Sequence, residues 1–255
     1  MSAREIIPAS VRARLIKLLV LTAVPYFALH LSGVSKFFLD DAEGISALLA
    51  IVGTLYSVLY AFAIYVIWGQ FTSVESQIVT EAGSLKDLLL FSNPLKTATR
   101  DPIVRAVKTY GRLVVETEWR ALSRGEDTEK TARAFTDLIC SVAALVPDEE
   151  TQRSLCERLL EIASQASTHR DERLALSTKR IPHTLMLFVS LTASLIFVLI
   201  FFYPFHNIFL GAISVAITAM LLFFAHFVLT DLDNPFEGTW NVSSKPFSDL
   251  ITKLR

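Results

Sequence analysis

The chain has 255 residues and a formal net charge of −1, with 52% hydrophobic residues, only 19% charged residues and a mean hydropathy of +0.47. A soluble globular domain carries about 25% charge, so a soluble enzyme, a disordered chain and a disulfide scaffold do not fit, and the near-neutral balance implies no nucleic-acid partner. Its apolar runs are continuous, which excludes a large β-barrel, whose strands are about ten residues long and alternating.

The N-terminal flank is basic, with Arg4, Arg12, Arg14 and Lys17. It leads into a first apolar segment, 15–34, with Pro25 inside it. This stretch is longer than a signal-peptide core and no small-residue cleavage site comes after it, so it reads as a retained span. The connection 35–44 holds Lys36 against Asp40, Asp41 and Glu43. The second segment, 45–68, has no charge at all. No terminator comes after Trp68 until Pro94, which predicts one long helix that leaves the membrane, with Gly69 and Gly83 as candidate bends.

Residues 70–182 form a polar middle region with helical periodicity. Asp101-Pro102 has the chemistry of a helix start, an acceptor followed by a proline. Ile103, Val107, Tyr110, Val114 and Ala121 then recur at helical spacing, and Arg124-Gly125 ends the run. Asp127 or Thr128 starts the next helix, which should extend to Val146, and Pro147-Asp148 breaks the chain. A third helix carries Leu155, Leu159, Ile162 and Ala166 on one stripe, followed by the charged stretch HRDER. Cys140 and Cys156 read as small, mostly buried residues rather than a disulfide.

Pro182 marks re-entry to the membrane. The third and fourth apolar segments are 183–203 and 207–229, joined by an uncharged turn. The four segments have 20 to 24 residues each, or about 30 to 36 Å as helix, enough to cross a bilayer. Lys and Arg gather on the N-terminal flank and at Arg170, Arg173, Lys179 and Arg180 before the third segment. By the positive-inside rule both termini and the middle region are cytoplasmic and the two short turns lie outside. The fold class is therefore an all-α integral membrane protein with four transmembrane helices and a helical cytoplasmic domain. Its parts are 1–69 (tail and helices one and two), 70–182 (cytoplasmic domain), 183–230 (helices three and four) and 231–255 (cytoplasmic tail).

Catalytic patterns are missing from the sequence: there is no G-x-S-x-G, P-loop, H-E-x-x-H or C-x-x-C. The histidines His30, His169, His183, His206 and His226 are scattered. Asp231, Asp233 and Glu237 make an acidic group after the fourth segment, but Ca²⁺ takes six to eight oxygens and the adjoining GTWNVSSKP adds no carboxylate. That stretch reads as a helix end and a turn at Asn234-Pro235, with no metal and no cofactor. In the second segment Gly53, Ser57, Tyr60, Ile64 and Trp68 fall roughly on one face. Small and hydroxyl residues let membrane helices approach closely and hydrogen-bond across the contact. The same residues would also suit the wall of a wetted pore gated by an apolar constriction. Four helices are few for a pore through one chain, so a pore would lie on the axis of a symmetric ring.

The layout of span pair, helical middle and span pair closes on LDNPFEGTWNVSSKPF, residues 232–247. It resembles the bestrophin-like family of bacterial membrane proteins. In bestrophins an Asn-Pro-Phe-Gly element stands after the last span; Asn234-Pro235-Phe236 with Gly238 is similar to it with one inserted residue, and Asp231 and Asp233 belong to the same stretch after the fourth segment. The run GTLYSVLYAF of 53–62, the Glu81-Ala82 pair and the Tyr110…Glu118-Trp119 spacing also resemble that group. The resemblance implies a homo-oligomeric, pentameric ion channel of the bacterial inner membrane. The second span would line the pore for small inorganic ions, anions before cations. Animal bestrophins continue with acids that bind Ca²⁺; here Thr239-Trp240-Asn241-Val242-Ser243 stands in that place, so calcium gating does not carry over. A non-conducting membrane scaffold or sensor, binding a protein partner through its cytoplasmic helices, is the other reading of the same pattern.

Overall fold

A computed structural model describes residues 9–33, 41–126, 128–147 and 150–252. The helices in chain order are α1 (Ala9–Leu31), α2 (Ala42–Ser92), α3 (Thr97–Leu113), a π turn (Val114–Glu118), α4 (Trp119–Arg124), α5 (Glu129–Ala143), α6 (Glu150–Ser177), α7 (His183–Phe202), α8 (Ile208–Leu232) and α9 (Lys245–Thr252). There is no strand among the described residues. The chain divides into an apolar unit, drawn from Met1–Val66 and Ile181–Thr230, and a polar unit, Ile67–Arg180 with Asp231–Arg255.

The apolar unit is helical because a backbone without water must bond to itself, and a helix does this within one segment. Among the described residues three helices, α2, α7 and α8, are long and apolar enough to cross a membrane. The apolar stretch of α1 is shorter, Ile16–Leu31, about 24 Å at 1.5 Å per residue. Lys36 and Asp40 of the first connection, and Arg4 of the flank, lie outside the described residues. Asn207 caps α8: its Oδ1 accepts the N–H groups of Phe209 at 2.9 Å and Leu210 at 3.2 Å, which satisfies donors that a helix start leaves open.

Packing in this unit is aromatic against small. Tyr26 of α1 is fully buried, with its ring edge-on to Phe201 of α7 at 6.0 Å. A Cβ on Gly211 of α8 would collide with the Tyr26 hydroxyl oxygen and lie 2.9 Å from Cδ2 of Phe205. The hydroxyl residues do less across the helices than the sequence suggests. Thr54, Ser57, Ser190 and Ser194 each donate to the carbonyl four residues back in their own helix. That carbonyl is the nearest acceptor and an apolar surround offers few others.

The polar unit is built on helical stripes. Val74, Ile78, Leu85 and Leu88 of α2 pack with Ile103, Val107 and Val114, with Leu138 and Val142 of α5, and with Leu159, Ile162 and Ala166 of α6. α2 runs through Gly69 and Gly83 as one helix of 51 residues, about 76 Å long. Two expected boundaries move. α3 begins at Thr97, one turn before Asp101-Pro102; Pro102 then costs only one backbone bond, to the carbonyl of the exposed Ala98. α5 stops at Ala143 rather than Val146, and Asp127 and Asp148 lie outside the described residues. Gly125 closes α4 at φ 66° in the left-handed region. Both cysteines are free; Cys156 is buried, but Cys140 is exposed rather than packed.

Gly211→Ala is expected to destabilise the apolar unit by about 1–3 kcal/mol, because a rigid phenol ring stands where the methyl must go. The midpoint for loss of the monodisperse gel-filtration peak on heating in detergent should fall. Gly44→Ala, with open space at that position, should leave it unchanged.

Candidate functional site

Three arrangements carry the chemistry. The first is the face of α2 singled out in the sequence. Gly53, Tyr60 and Ile64 are half-buried, and Ser57 and Trp68 are exposed on the single chain. Ala63 and Ile67 are the positions turned inward. Ser57 Oγ donates to the Gly53 carbonyl at 2.8 Å, so its lone pairs are what it presents outward. The Trp68 ring stacks on Phe71 at 6.0 Å and meets Trp240 edge-on at 6.0 Å.

The second is the turn after α8. Asp231 accepts the N–H groups of Thr239 and Trp240, each at 3.0 Å. Its carboxylate is thus a clasp for the backbone eight and nine residues on. Gly238, at φ 92°, is where this clasp closes, since a Cβ there would lie 2.5 Å from Asp231 Oδ1. Asn234 Oδ1 accepts the Phe236 N–H at 3.3 Å, and its Nδ2 donates to the Ser123 carbonyl at 2.9 Å. The Val242 N–H donates to the Pro235 carbonyl at 2.8 Å. Pro235 and Phe236 are buried and Asp233 is half-buried, and the Phe236 ring sits edge-on to Trp119 at 5.2 Å. The turn is a built structural element, and no group of three or more potential metal ligands occurs among the described residues.

The third is a buried charge network. Glu81 of α2, Glu118 of the π turn and Arg173 of α6 are 0% exposed, Arg170 is 4% exposed, and Tyr110 of α3 is fully buried. Arg173 Nε donates to Glu81 Oε2 at 2.6 Å and its Nη2 to Glu118 Oε1 at 2.5 Å. Arg170 Nη1 donates to Glu118 Oε2 at 3.0 Å and to the Tyr110 hydroxyl at 2.9 Å. Tyr110 donates its own proton to Glu81 Oε1. The guanidinium of Arg170 lies 5.4 Å from the ring centroids of Tyr110 and Phe135, and that of Arg173 lies 5.7 Å from Phe247, favourable cation–π positions. Two carboxylates, two guanidiniums and one neutral phenol sum to zero charge.

Burial raises the Tyr110 phenol well above its ordinary range, and the Glu81 carboxylate raises it further. For Arg173, burial alone would favour loss of the proton, but Glu81, Tyr110 and Glu118 outweigh it and raise the guanidinium well above its usual range. The network is sealed from water, so it cannot touch a substrate. Removing one partner of a buried ion pair costs about 3–5 kcal/mol, which makes the network a clamp that holds α2, α3, the π turn and α6 in register. Sequence reasoning placed Arg170 and Arg173 at the membrane edge; the structure places them inside the polar unit, where they no longer count as surface charges. A signal was present: Leu159, Ile162, Ala166, Arg170, Arg173 and Ser177 continue one stripe at spacings of three and four.

An all-helical membrane protein with a polar helical unit inserted between its apolar segments, a buried charge clamp in that unit and a clasped turn after the last apolar helix defines the class. The chain belongs to the bestrophin-like family: the profile described as Bestrophin-like domain matches residues 19–247. A crystal structure of a mutant bacterial bestrophin homologue from Klebsiella pneumoniae superposes with a TM-score of 0.75 at 13% identity, covering 94% of this chain and 97% of that one. A second mutant of the Klebsiella homologue gives 0.73 at 14% identity, covering 97% and 96%. The homologue solved by zinc phasing gives 0.69 at 12% identity, covering 94% and 95%. No curated protein matches the chain. The fold is therefore that of bacterial bestrophin homologues.

The raised Tyr110 pKa sets a pH dependence. The unfolded chain loses the tyrosine proton near pH 10 while the folded chain keeps it, so stability from this group is complete below pH 10 and falls as pH rises beyond it. Tyr110→Phe should cost about 1–3 kcal/mol at pH 7, because Glu81 and Arg170 each lose a partner. Its disadvantage against the wild type should shrink between pH 9 and pH 11. Tryptophan fluorescence during denaturation reads this directly, since Trp68, Trp119 and Trp240 all lie in the polar unit.

Proposed function

We propose that the chain forms a homo-oligomeric ion channel of the bacterial inner membrane, with both termini in the cytoplasm and α1 as a fourth span. By family resemblance the ring is a pentamer. α2 lines its axial pore, with Gly53, Ser57, Tyr60, Ile64 and Trp68 toward the ion path. Small inorganic ions pass, anions more readily than cations.

The observation that supports this reading best is how little of α2 its own chain covers. Along the uncharged stretch, Val58, Phe62, Tyr65 and Trp68 are exposed, Tyr65 by 77%. A helix of this kind needs lipid on one side and sister helices on the other. Only part of its surface is suited to lipid, since Thr54, Ser57 and Tyr60 bring polar atoms to it. With no charge in the span, selectivity rests on weak dipoles and the gate on dewetting at an apolar narrowing such as Ile64.

Ile64→Ala is expected to raise conductance several-fold in planar bilayers containing the purified protein, and Ser57→Ala to alter ion preference in reversal-potential measurements. If Ile64 is instead ordinary packing, its truncation costs about 2–5 kcal/mol and leaves currents unchanged. Electrical silence of the wild type under both anion and cation gradients would turn the reading to a non-conducting scaffold or sensor.

A further inference from the structure

The apolar unit holds a groove of about 710 Å³ between α1, α7 and α8. Its walls include Leu18, Pro25, Ser194, Phe197, Ala219 and Phe223, and His226 lines it as well. The hydroxyls on its walls have no proton left to donate to a ligand. Thr22, Ser190 and Ser194 donate to the carbonyls of Leu18, Met186 and Ser190 at 3.0, 2.8 and 2.8 Å. From Ser190 to Phe202 the groove tracks thirteen residues of α7, about 18 Å of helix. That is close to one leaflet of a hydrocarbon core about 30 Å thick.

One end of the groove is cationic or hydrogen-bond donating on all three helices. Tyr26 of α1 meets Phe201 of α7, and Phe27 of α1 meets Phe209 of α8. α1 and α7 are therefore parallel and α8 runs against them, so the starts of α1 and α7 share an end with the finish of α8. At that end each groove stripe continues into a nitrogen-bearing side chain. Arg14 precedes Leu18, Leu21 and Pro25 at spacings of four, three and four; His183 lies two turns before Ser190; His226 comes after Ala219 and Phe223 at four and three. Arg14, His183 and His226 are exposed, and none bonds through its side chain to another described residue.

We propose that this groove seats one acyl chain of an anionic phospholipid, with the lipid phosphate held by Arg14, His183 and His226. Basic groups between membrane helices at the interface are recognised sites for such headgroups. The apolar wall fits the chain, and the three nitrogen-bearing side chains toward one end of the groove fit the phosphate.

The test uses the full-length protein in mixed micelles with phosphatidylglycerol or phosphatidylcholine of identical acyl chains. Native mass spectrometry reads the lipid retained per chain. Retention of one phosphatidylglycerol, favoured about tenfold over phosphatidylcholine, is expected. The triple variant Arg14→Gln, His183→Gln, His226→Gln should bring the two lipids level, with gel filtration and tryptophan fluorescence reporting the fold. Should the triple variant not fold, Arg14→Gln and His226→Gln singly should each lower the preference several-fold. Ser194→Phe, which fills the groove and leaves the nitrogens in place, should abolish retention. Equal retention of both lipids by the wild type overturns the proposal, as does retained phosphatidylglycerol in Ser194→Phe. Displacement of the lipid by millimolar inorganic phosphate would instead mean a site for a free anion. Disulfide cross-linking of Ser194→Cys between chains would give the groove to a second copy.

Discussion

The polar unit depends on a set of four buried charges that are stable only together. Attraction between a guanidinium and a carboxylate in a dry interior is large, and so is the cost of drying them, so the network adds little net stability as a whole. Its effect lies in what it forbids. A slip of α6 by one residue would turn Arg170 and Arg173 away from Glu118 and Glu81, leaving charges buried without partners. Tyr110 completes the arrangement by donating to one carboxylate and accepting from Arg170. Register between α2, α3 and α6 is therefore set by electrostatics, while the apolar stripes around it supply the bulk of the burial.

The π turn is the local distortion that makes this geometry available. The Trp119 N–H bonds the Val114 carbonyl five residues back, so the turn is wider than an α turn and rotates α4 about the helix axis relative to α3. Glu118 then reaches both arginines, and Trp119, the next residue, carries its ring to Phe236 and Phe247 at 5.2 and 6.2 Å. Phe247 also lies beneath Arg173. The element after α8 is joined in this way to the charge network through one tryptophan, and Asn234 ties the same element to the end of α4. The short motif that most resembles bestrophins is thus the piece that fastens the chain's last segment to its polar unit.

Much of this architecture is legible in the sequence. Uncharged runs mark the apolar helices, and the lack of any terminator after Trp68 foretells the length of α2. What stayed hidden was burial of charge. Arg170 and Arg173 look like solvated or membrane-edge residues because charge is usually exposed, yet they stand in phase with an apolar stripe, as Glu81 does between Ile78 and Leu85. A charged residue in phase with a buried stripe, matched by an opposite charge in phase on another helix, is the pattern that would have found them. The π turn had no such signal, since Val114 and Glu118 sit four apart, as ordinary helix would have them. Thr54, Ser57, Ser190 and Ser194 misled in the other direction: they look like cross-helix donors but bond back to their own helices.

Glycine placement separates what the single chain explains from what it does not. Gly211 and Gly238 are demanded from within, one by the Tyr26 ring and the other by the Asp231 carboxylate and a positive φ. Gly53, Gly69 and Gly83 of α2 are different, because a Cβ at each would meet nothing within 4 Å. A glycine inside a helix costs about 1 kcal/mol relative to alanine, and α2 carries four, Gly44 in its first turn and these three further in, with no return from its own chain. Small residues on a membrane helix admit a close backbone neighbour or leave room along a path. In a ring built around α2 the first role falls to a sister helix and the second to the axis. On the ring proposed above, the open glycines, the uncharged face and the sparse covering of α2 by its own chain would have one common cause: a helix shaped for surroundings that other subunits supply.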